Sequence, residues 1–235
     1  MSVSIILPTY DESGNIIALV NKIIAEVSKS TMNYEVIVVD DNSPDKTAEI
    51  CEKHFLKNRK VKTYIRRYDK GLARAILYGI KKSKKEFVVV MDTDFSHDPR
   101  LIPQMLKKIK SNDILIASRY AKKGGGENKA RYLLSKIYNI FLWLLLNVPI
   151  SDFLFGYFCI RRSFLIKYRL MNREIFSGFG DYFIRLSYKI YKSGGKFYEI
   201  PAYYKNRVYG VTKSNITKMF ITYSFAAFKL KLTVN

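Results

Sequence analysis

Apolar positions in the first half of the chain alternate between two patterns. Val3–Leu7 is a short apolar run closed by Pro8, the length of a buried strand. Ile16, Ile17, Leu19, Val20, Ile23, Ile24 and Val27 then recur at helical spacing. The succession repeats. Glu35–Val39 predicts a second strand and Thr47–Phe55 a short helix. Val61–Ile65 and Leu72–Ile80 form the next pair, and Phe87–Met91 is followed by a helix over Pro99–Ile109 with proline near its start. Ile114–Ala117 predicts a fifth strand. Strands and helices in this order imply βαβ units, right-handed crossovers and an α/β fold with a mostly parallel sheet and flanking helices. Strands covered on both faces should be apolar throughout, as these are.

After Tyr120 the pattern changes. The stretch "AKKGGGENKAR" predicts a flexible basic loop, a lid candidate if it lies beside an active edge. An apolar segment at Leu133–Pro149, a helix near Tyr182–Tyr191 and an aromatic, apolar segment at Ile216–Val234 follow. No linker-like composition and no internal repeat divides the 235 residues, so a single domain is expected. Its second half covers and completes the first.

Polar residues collect where the strands end. "PTYDES" follows the first strand, "DDNSPD" the second, "DTDFSHDP" the fourth and "SRY" the fifth. Asp, Asn, Ser and Pro also make turns and helix caps, which is the plainer reading of any one cluster. Four clusters at the carboxyl ends of parallel strands converge on one edge, where open α/β sheets bind ligands. Asp92 and Asp94 are separated by one residue just past a strand, so in extended chain their carboxylates share a side. Like charges so placed repel unless they point apart, share a proton or share a cation, and the last option would make this a metal site. Hard oxygen ligands of this kind suit Mg²⁺ or Mn²⁺, which keep positions for substrate phosphates and water. Asp40 and Asp41 end the second strand; one is expected to accept hydrogen bonds from a base or ribose and the other to cap the following helix. Tyr10 is placed to pack against a base, and Glu12 to reach base or ribose.

The net charge of +21 calls for an anionic partner: nucleic acid, anionic lipid or a phosphorylated substrate. A basic nucleic-acid-binding module is therefore the rival reading, with Arg66-Arg67 and the lysines of "KKSKK" in its favour. No nucleic-acid motif accompanies them, and a carboxylate-lined edge repels phosphate unless a metal is present. Cys51 and Cys159 form no disulfide framework, and the two histidines, His54 and His97, do not make a zinc site. No signal peptide is expected from the first residues. Neither late apolar segment reaches about 18 uninterrupted apolar residues, so neither predicts a spanning helix. Each reads either as an ordinary amphipathic helix or as one lying in a membrane interface.

The motifs "ILPTYDE", "VVDDNSPD", "KGLARAILYGI", "VVVMDTDFSHDP", "ASRY" and "RVYGVTKS" together resemble the GT-A glycosyltransferases of family 2. More narrowly they are similar to the dolichyl-phosphate (polyprenyl-phosphate) mannosyltransferases. The resemblance implies a Rossmann-like GT-A fold and inverting transfer of a sugar, mannose from GDP-mannose, to a polyprenyl phosphate. A UDP-glucose-dependent transfer to the same acceptor is the runner-up. It implies that residues 1–120 bind the nucleotide, with Pro8, Tyr10, Glu12, Val39 and Asp41 lining its pocket, and that 121–235 serve the acceptor and the membrane. Asp92 and Asp94 would hold the divalent ion, and Arg207 and Lys213 would clamp the donor diphosphate. Asp94, Arg119 and Arg131 form the implied catalytic set, the two arginines meeting the acceptor phosphate. Ser96 stands where some relatives carry a glutamine metal ligand, which makes it the candidate third ligand. Phe155 in "DFLFGY" stands where relatives have Ser or Thr. Such an enzyme works peripherally on the cytoplasmic face of a membrane, alone or through an anchoring subunit, and does not bind nucleic acid.

Overall fold

A computed structural model describes residues 1–205 and 216–233. Seven strands form the main sheet: β1 (Val3–Thr9), β2 (Tyr34–Asp40), β3 (Val61–Ile65), β4 (Phe87–Val90), β5 (Ile114–Ser118), β7 (Phe158–Arg161) and β8 (Phe197–Pro201). A two-residue strand, β6 (Gly125–Gly126), pairs separately with β9 (Tyr203–Tyr204). The main sheet runs in the order β3-β2-β1-β4-β7-β5-β8. Six of these strands are parallel to one another; β7 alone runs antiparallel, between β4 and β5. Helices α1 (Ile16–Val27), α2 (Thr47–His54), α3 (Leu72–Lys82), α4 (Ile102–Lys108), α5 (Lys129–Leu146), α6 (Arg162–Lys167), α7 (Asp181–Lys192) and α8 (Ile216–Thr233) complete the described chain.

Two apolar cores flank the sheet because successive strand side chains point to opposite faces. Ile6, Ile37, Val39, Val88 and Val90 pack on one face with α3 and α7. Ile5, Leu7, Val36, Val38 and Val89 pack on the other with α1 and α4. Two polar residues, Ser4 and Glu35, are buried at the end of the sheet away from the cluster-bearing edge. Glu35, wholly within β2, accepts hydrogen bonds from Ser4 Oγ (2.7 Å), Lys62 Nζ (2.5 Å) and the Lys84 N–H (2.8 Å).

Part of the stretch expected as a flexible loop forms a short ladder. Gly125 and Gly126 lie against Tyr203 and Tyr204, and a Cβ at Gly125 would stand 3.0 Å from the Tyr203 ring. Glycine is what lets this short ladder form, and α5 begins three residues later with Asn128 Oδ1 accepting the N–H of Arg131 (2.9 Å).

α5 and α8 pack on each other. Tyr138 touches Phe220, Phe141 touches Phe228, and the hydroxyls of Tyr138 and Ser224 lie 3.0 Å apart. Their outer faces carry exposed Leu133, Leu134, Ile137, Trp143 and Leu144 on α5, and Ile221, Phe225 and Leu232 on α8. Among the described residues, no helix is long and apolar enough to cross a membrane.

Candidate active site

The register of the parallel strands brings the polar clusters to one edge. Thr9 pairs with Asp40 and Ile6 with Val90, so β1, β2 and β4 all hand their chains over at the same side of the sheet. A cleft of about 390 Å³ opens there. Pro8, Thr9, Tyr10 and Glu12 line it from β1, Asp41 from β2, Lys70, Gly71 and Leu72 from the start of α3, and Asp92, Thr93 and Asp94 from β4. Phe179 closes it from the second half of the chain.

The two adjacent aspartates have separate duties. Asp40 accepts from the Thr9 hydroxyl (2.9 Å), the Ser43 N–H (2.8 Å) and the Ser43 hydroxyl (2.5 Å), which pins the turn after β2. It does not cap α2: Asp45 accepts the N–H and hydroxyl of Thr47 there. Asp41 faces the cleft, accepts the N–H of Gly71 (2.5 Å) and stands 3.0 Å from Arg66 Nη1. Gly71 reaches it with φ +126°, a backbone state that a side chain opposes. Burial pushes the Asp41 carboxyl above the ordinary aspartate range, against the pull of Gly71 and Arg66. Val39, expected in the same pocket, is buried in the core instead, because β2 directs it toward α3. Glu12 is oriented by Asn15 Nδ2 (2.7 Å), and Tyr10 stands exposed at the cleft.

The loop after β4 folds tightly. Thr93 Oγ1 reaches the Pro8 carbonyl (3.4 Å), and Asp94 Oδ1 accepts the Ser96 N–H (3.0 Å). Asp94 is 2% exposed, while the Asp92 side chain is 43% exposed, and both line the cleft. Ser96, expected as a third ligand, is buried and does not line it, because the chain turns back onto Asp94 at that residue. Among the described residues, no three His, Cys, Asp or Glu side chains gather as a metal cluster. Two hard carboxylates on an open cleft still fit Mg²⁺ or Mn²⁺, ions that commonly take one or two protein carboxylates and complete their shell with phosphate and water.

Arg119 and Arg131 meet as a pair outside this cleft. Together with Gly126, Asn128, Tyr132 and Tyr204 they line a narrow crevice. Arg119 is already engaged: Nε and Nη2 donate to the two oxygens of Asp152 (2.8 Å each), and Nη2 also donates to Ser135 (3.1 Å). Burial works against its charge, yet Asp152 holds the guanidinium protonated beyond even the usual arginine range. Arg131 is exposed, its guanidinium 5.6 Å over the Tyr204 ring. Arg207 and Lys213 lie outside the described residues.

Lys70, Phe179, Thr93 and Asp152 join these sites without having been expected from sequence. Lys70 carries a legible signal, a Lys-Gly pair opening an apolar helix at the edge where the other clusters fall. Asp152 opens the "DFLFGY" stretch, but its pairing with Arg119 is not legible there, since the two lie 33 residues apart.

Residues 4–169 match the family described as glycosyl transferase family 2. Among curated proteins, the chain is 42% identical over 139 residues to a dolichol-phosphate mannosyltransferase of Pyrococcus furiosus, covering 58% of this chain and 39% of that protein. It is 31% identical over 119 residues to the dolichol-phosphate mannosyltransferase of Saccharomyces cerevisiae, covering 50% of this chain and 45% of the relative. A polyprenol monophosphomannose synthase of Mycolicibacterium smegmatis is 31% identical over 216 residues, covering 89% and 79%. The match thus spans less than half the length of the Pyrococcus and yeast proteins. Among solved structures, glucosyl-3-phosphoglycerate synthase from Mycobacterium tuberculosis, in complex with Mn²⁺, UDP and glucosyl-3-phosphoglycerate, superposes with a TM-score of 0.72 at 14% identity, covering 100% of this chain and 81% of that one. Mannosyl-3-phosphoglycerate synthase from Rubrobacter xylanophilus superposes with a TM-score of 0.61 at 16% identity, covering 98% and 72%. At such identities the likeness is one of fold.

Proposed function

Because the chain belongs to glycosyl transferase family 2, we propose that it transfers mannose from GDP-mannose to a polyprenyl (dolichyl) phosphate with Mg²⁺ or Mn²⁺. The observation that carries this reading is the shared cleft. Groups suited to a nucleoside (Tyr10, Glu12, Asp41) and a pair of hard carboxylates (Asp92, Asp94) line one space of about 390 Å³. That volume lies in the range of small-molecule sites. The sugar and the acceptor are supported by the names of the relatives, and the ion by the donor chemistry of the two aspartates together with the Mn²⁺ named with a structural neighbour.

In this reading Tyr10 packs on the base, and Glu12 and Asp41 accept hydrogen bonds from base or ribose. Asp92 and Asp94 hold the cation, which when bound neutralises the charge that develops on the departing diphosphate. Arg207 and Lys213 are assigned to the same diphosphate by the resemblance alone. An acceptor phosphate is ionised near neutral pH, so it attacks the anomeric carbon without a general base. Attack opposite the diphosphate inverts the configuration. Asp152 cancels most of the charge of Arg119, so Arg119 orients the phosphate through its N–H groups while Arg131 contributes net charge. A lipid acceptor fits the exposed apolar faces of α5 and α8, which would dock the enzyme peripherally on the cytoplasmic leaflet; an anchoring subunit is the alternative route to the same place.

The test is turnover. GDP-mannose and UDP-glucose are offered in turn with a short-chain polyprenyl phosphate, before and after chelation. Turnover of GDP-mannose that chelation abolishes is expected. Asp92→Asn and Asp94→Asn should each be inactive yet melt at or above the wild-type temperature, since each removes like-charge repulsion. Full activity after chelation, or in both variants, overturns the metal assignment. Turnover of UDP-glucose alone moves the donor to the runner-up.

A further inference from the structure

The paired carboxylates of Asp92 and Asp94 sit on a loop that is held from below. The backbone N–H of Asp92 donates to Nδ1 of His97 at 2.9 Å. His97 is 1% exposed, and its ring is fixed on two sides. Phe155 meets it edge-on at 4.4 Å, and Tyr157 stacks on it at 4.9 Å with 9° between the planes. Tyr157 in turn donates its hydroxyl to the carbonyl of Asp98 (3.0 Å). Both ends of the turn are therefore tied to the stretch leading into β7. Within the turn Phe95 adopts φ +63°, a left-handed state uncommon outside glycine. Two carboxylates separated by one residue gain by moving apart when no cation is bound, and a turn holding such a residue gains by relaxing. Something must oppose both tendencies. The imidazole acts against both at the backbone of Asp92.

We propose that His97 is the positioning residue of the cation site: its Nδ1 lone pair fixes the backbone of Asp92, and the Phe155–Tyr157 pair fixes the ring, so that both carboxylates are aimed before the ion arrives. This rests on the reading of Asp92 and Asp94 as cation ligands. His97 does not line the cleft, and its Nε2 lies 3.8 Å from the Asp92 carboxylate. Its effect is on how much reorganisation binding requires, and partners at this remove from a metal commonly change affinity about 10- to 100-fold.

The experiment titrates Mn²⁺ into the full chain in the presence of GDP, by electron paramagnetic resonance, and records melting temperature alongside. His97→Phe keeps a stacking ring and removes the acceptor. His97→Asn places an oxygen where Nδ1 stands. His97→Phe should weaken Mn²⁺ binding at least about tenfold, and saturating Mn²⁺ should restore most of its turnover. His97→Asn should recover most of the affinity, although its amide gives Phe155 and Tyr157 no ring to pack against. Tyr157→Phe, which removes only the hydroxyl tie to Asp98, should give a smaller loss and supplies the test should His97→Phe not fold. Wild-type Mn²⁺ affinity in both His97→Phe and Tyr157→Phe overturns the proposal. So does an equal loss in His97→Phe and His97→Asn that follows melting temperature alone. Asp92→Asn is the control for the underlying reading: if it binds Mn²⁺ as the wild type does, Asp92 is not a ligand and the fault lies there rather than with His97.

Discussion

Glu35 and Glu199 are both carboxylates drawn out of water, and they respond in opposite directions. Burial disfavours the charge on each, but three donors on Glu35, one of them the Lys62 ammonium, more than offset it and lower its pKa. Glu199 receives Ser151 and Ser118, neither of them charged, with Asp152 nearby, and burial raises its pKa. The linkage signs follow. A lowered folded-state pKa stabilises the protein above the ordinary glutamate value of 4.5 and loses that contribution as pH falls through the folded value. A raised one does the reverse: its contribution is present below 4.5 and is lost as pH rises through the folded value. Glu35→Gln should therefore cost stability at neutral pH, by about 1.5–3 kcal/mol for a charged hydrogen bond, and little in acid. Glu199→Gln, which keeps an oxygen for the Ser151 N–H, should stabilise at neutral pH and be near neutral in acid. Urea melts of both variants on either side of pH 4.5 check this pair. Individual residues are unevenly legible in the sequence. Asp92 and Asp94 announce themselves by spacing after a strand. The state of Arg119 does not, because its partner Asp152 comes close only once β5 and the segment before β7 are side by side.

The helices and strands of the first half are legible because apolar runs and helical spacings alternate there, with polar clusters closing most of the strands. β7 is not. Its four residues lie inside "DFLFGYFCIRR", an apolar stretch with no period of its own, and its direction is set by what it packs between. β6 falls within the predicted loop because two glycines carry no strand signal; the tyrosines opposite supply it. α5 shows the limit from the other side. Its apolar pattern predicts a helix but not which face stays uncovered, and α8 covers only part of it. Trp143 is 46% exposed, so Trp143→Glu should leave the fold intact. It should lower flotation with anionic liposomes and turnover of a long-chain acceptor while sparing a water-soluble short-chain phosphate. Unchanged flotation would shift attachment to a partner subunit.

Across the whole molecule, 41 basic side chains face 20 acidic ones. Several of the acids are spent internally, at Glu35, Asp41 and Asp152 among others. Positive charge therefore prevails toward solvent, and each basic side chain near anionic lipid contributes roughly 1 kcal/mol. Raising ionic strength to about 1 M shortens the screening length to about 3 Å. Liposome binding should then weaken without vanishing, since the apolar faces of α5 and α8 are not screened; complete release by salt would assign the attachment to charge alone. The order of the sheet bears on how the chain is made. β4 and β5 are neighbours in sequence but not in space, and the gap between them is filled by β7, from a stretch that leaves the ribosome much later. At usual rates of synthesis the roughly forty residues from Ser118 to Phe158 take about 2–8 s. Throughout that interval the nascent chain carries an apolar strand edge at Val88-Val89-Val90 and a β5 with neither neighbour. Open strand edges of this kind pair with whatever strand is offered. A nascent-chain chaperone thus has a window of seconds, ending when Cys159 slides in between Val89 and Leu115.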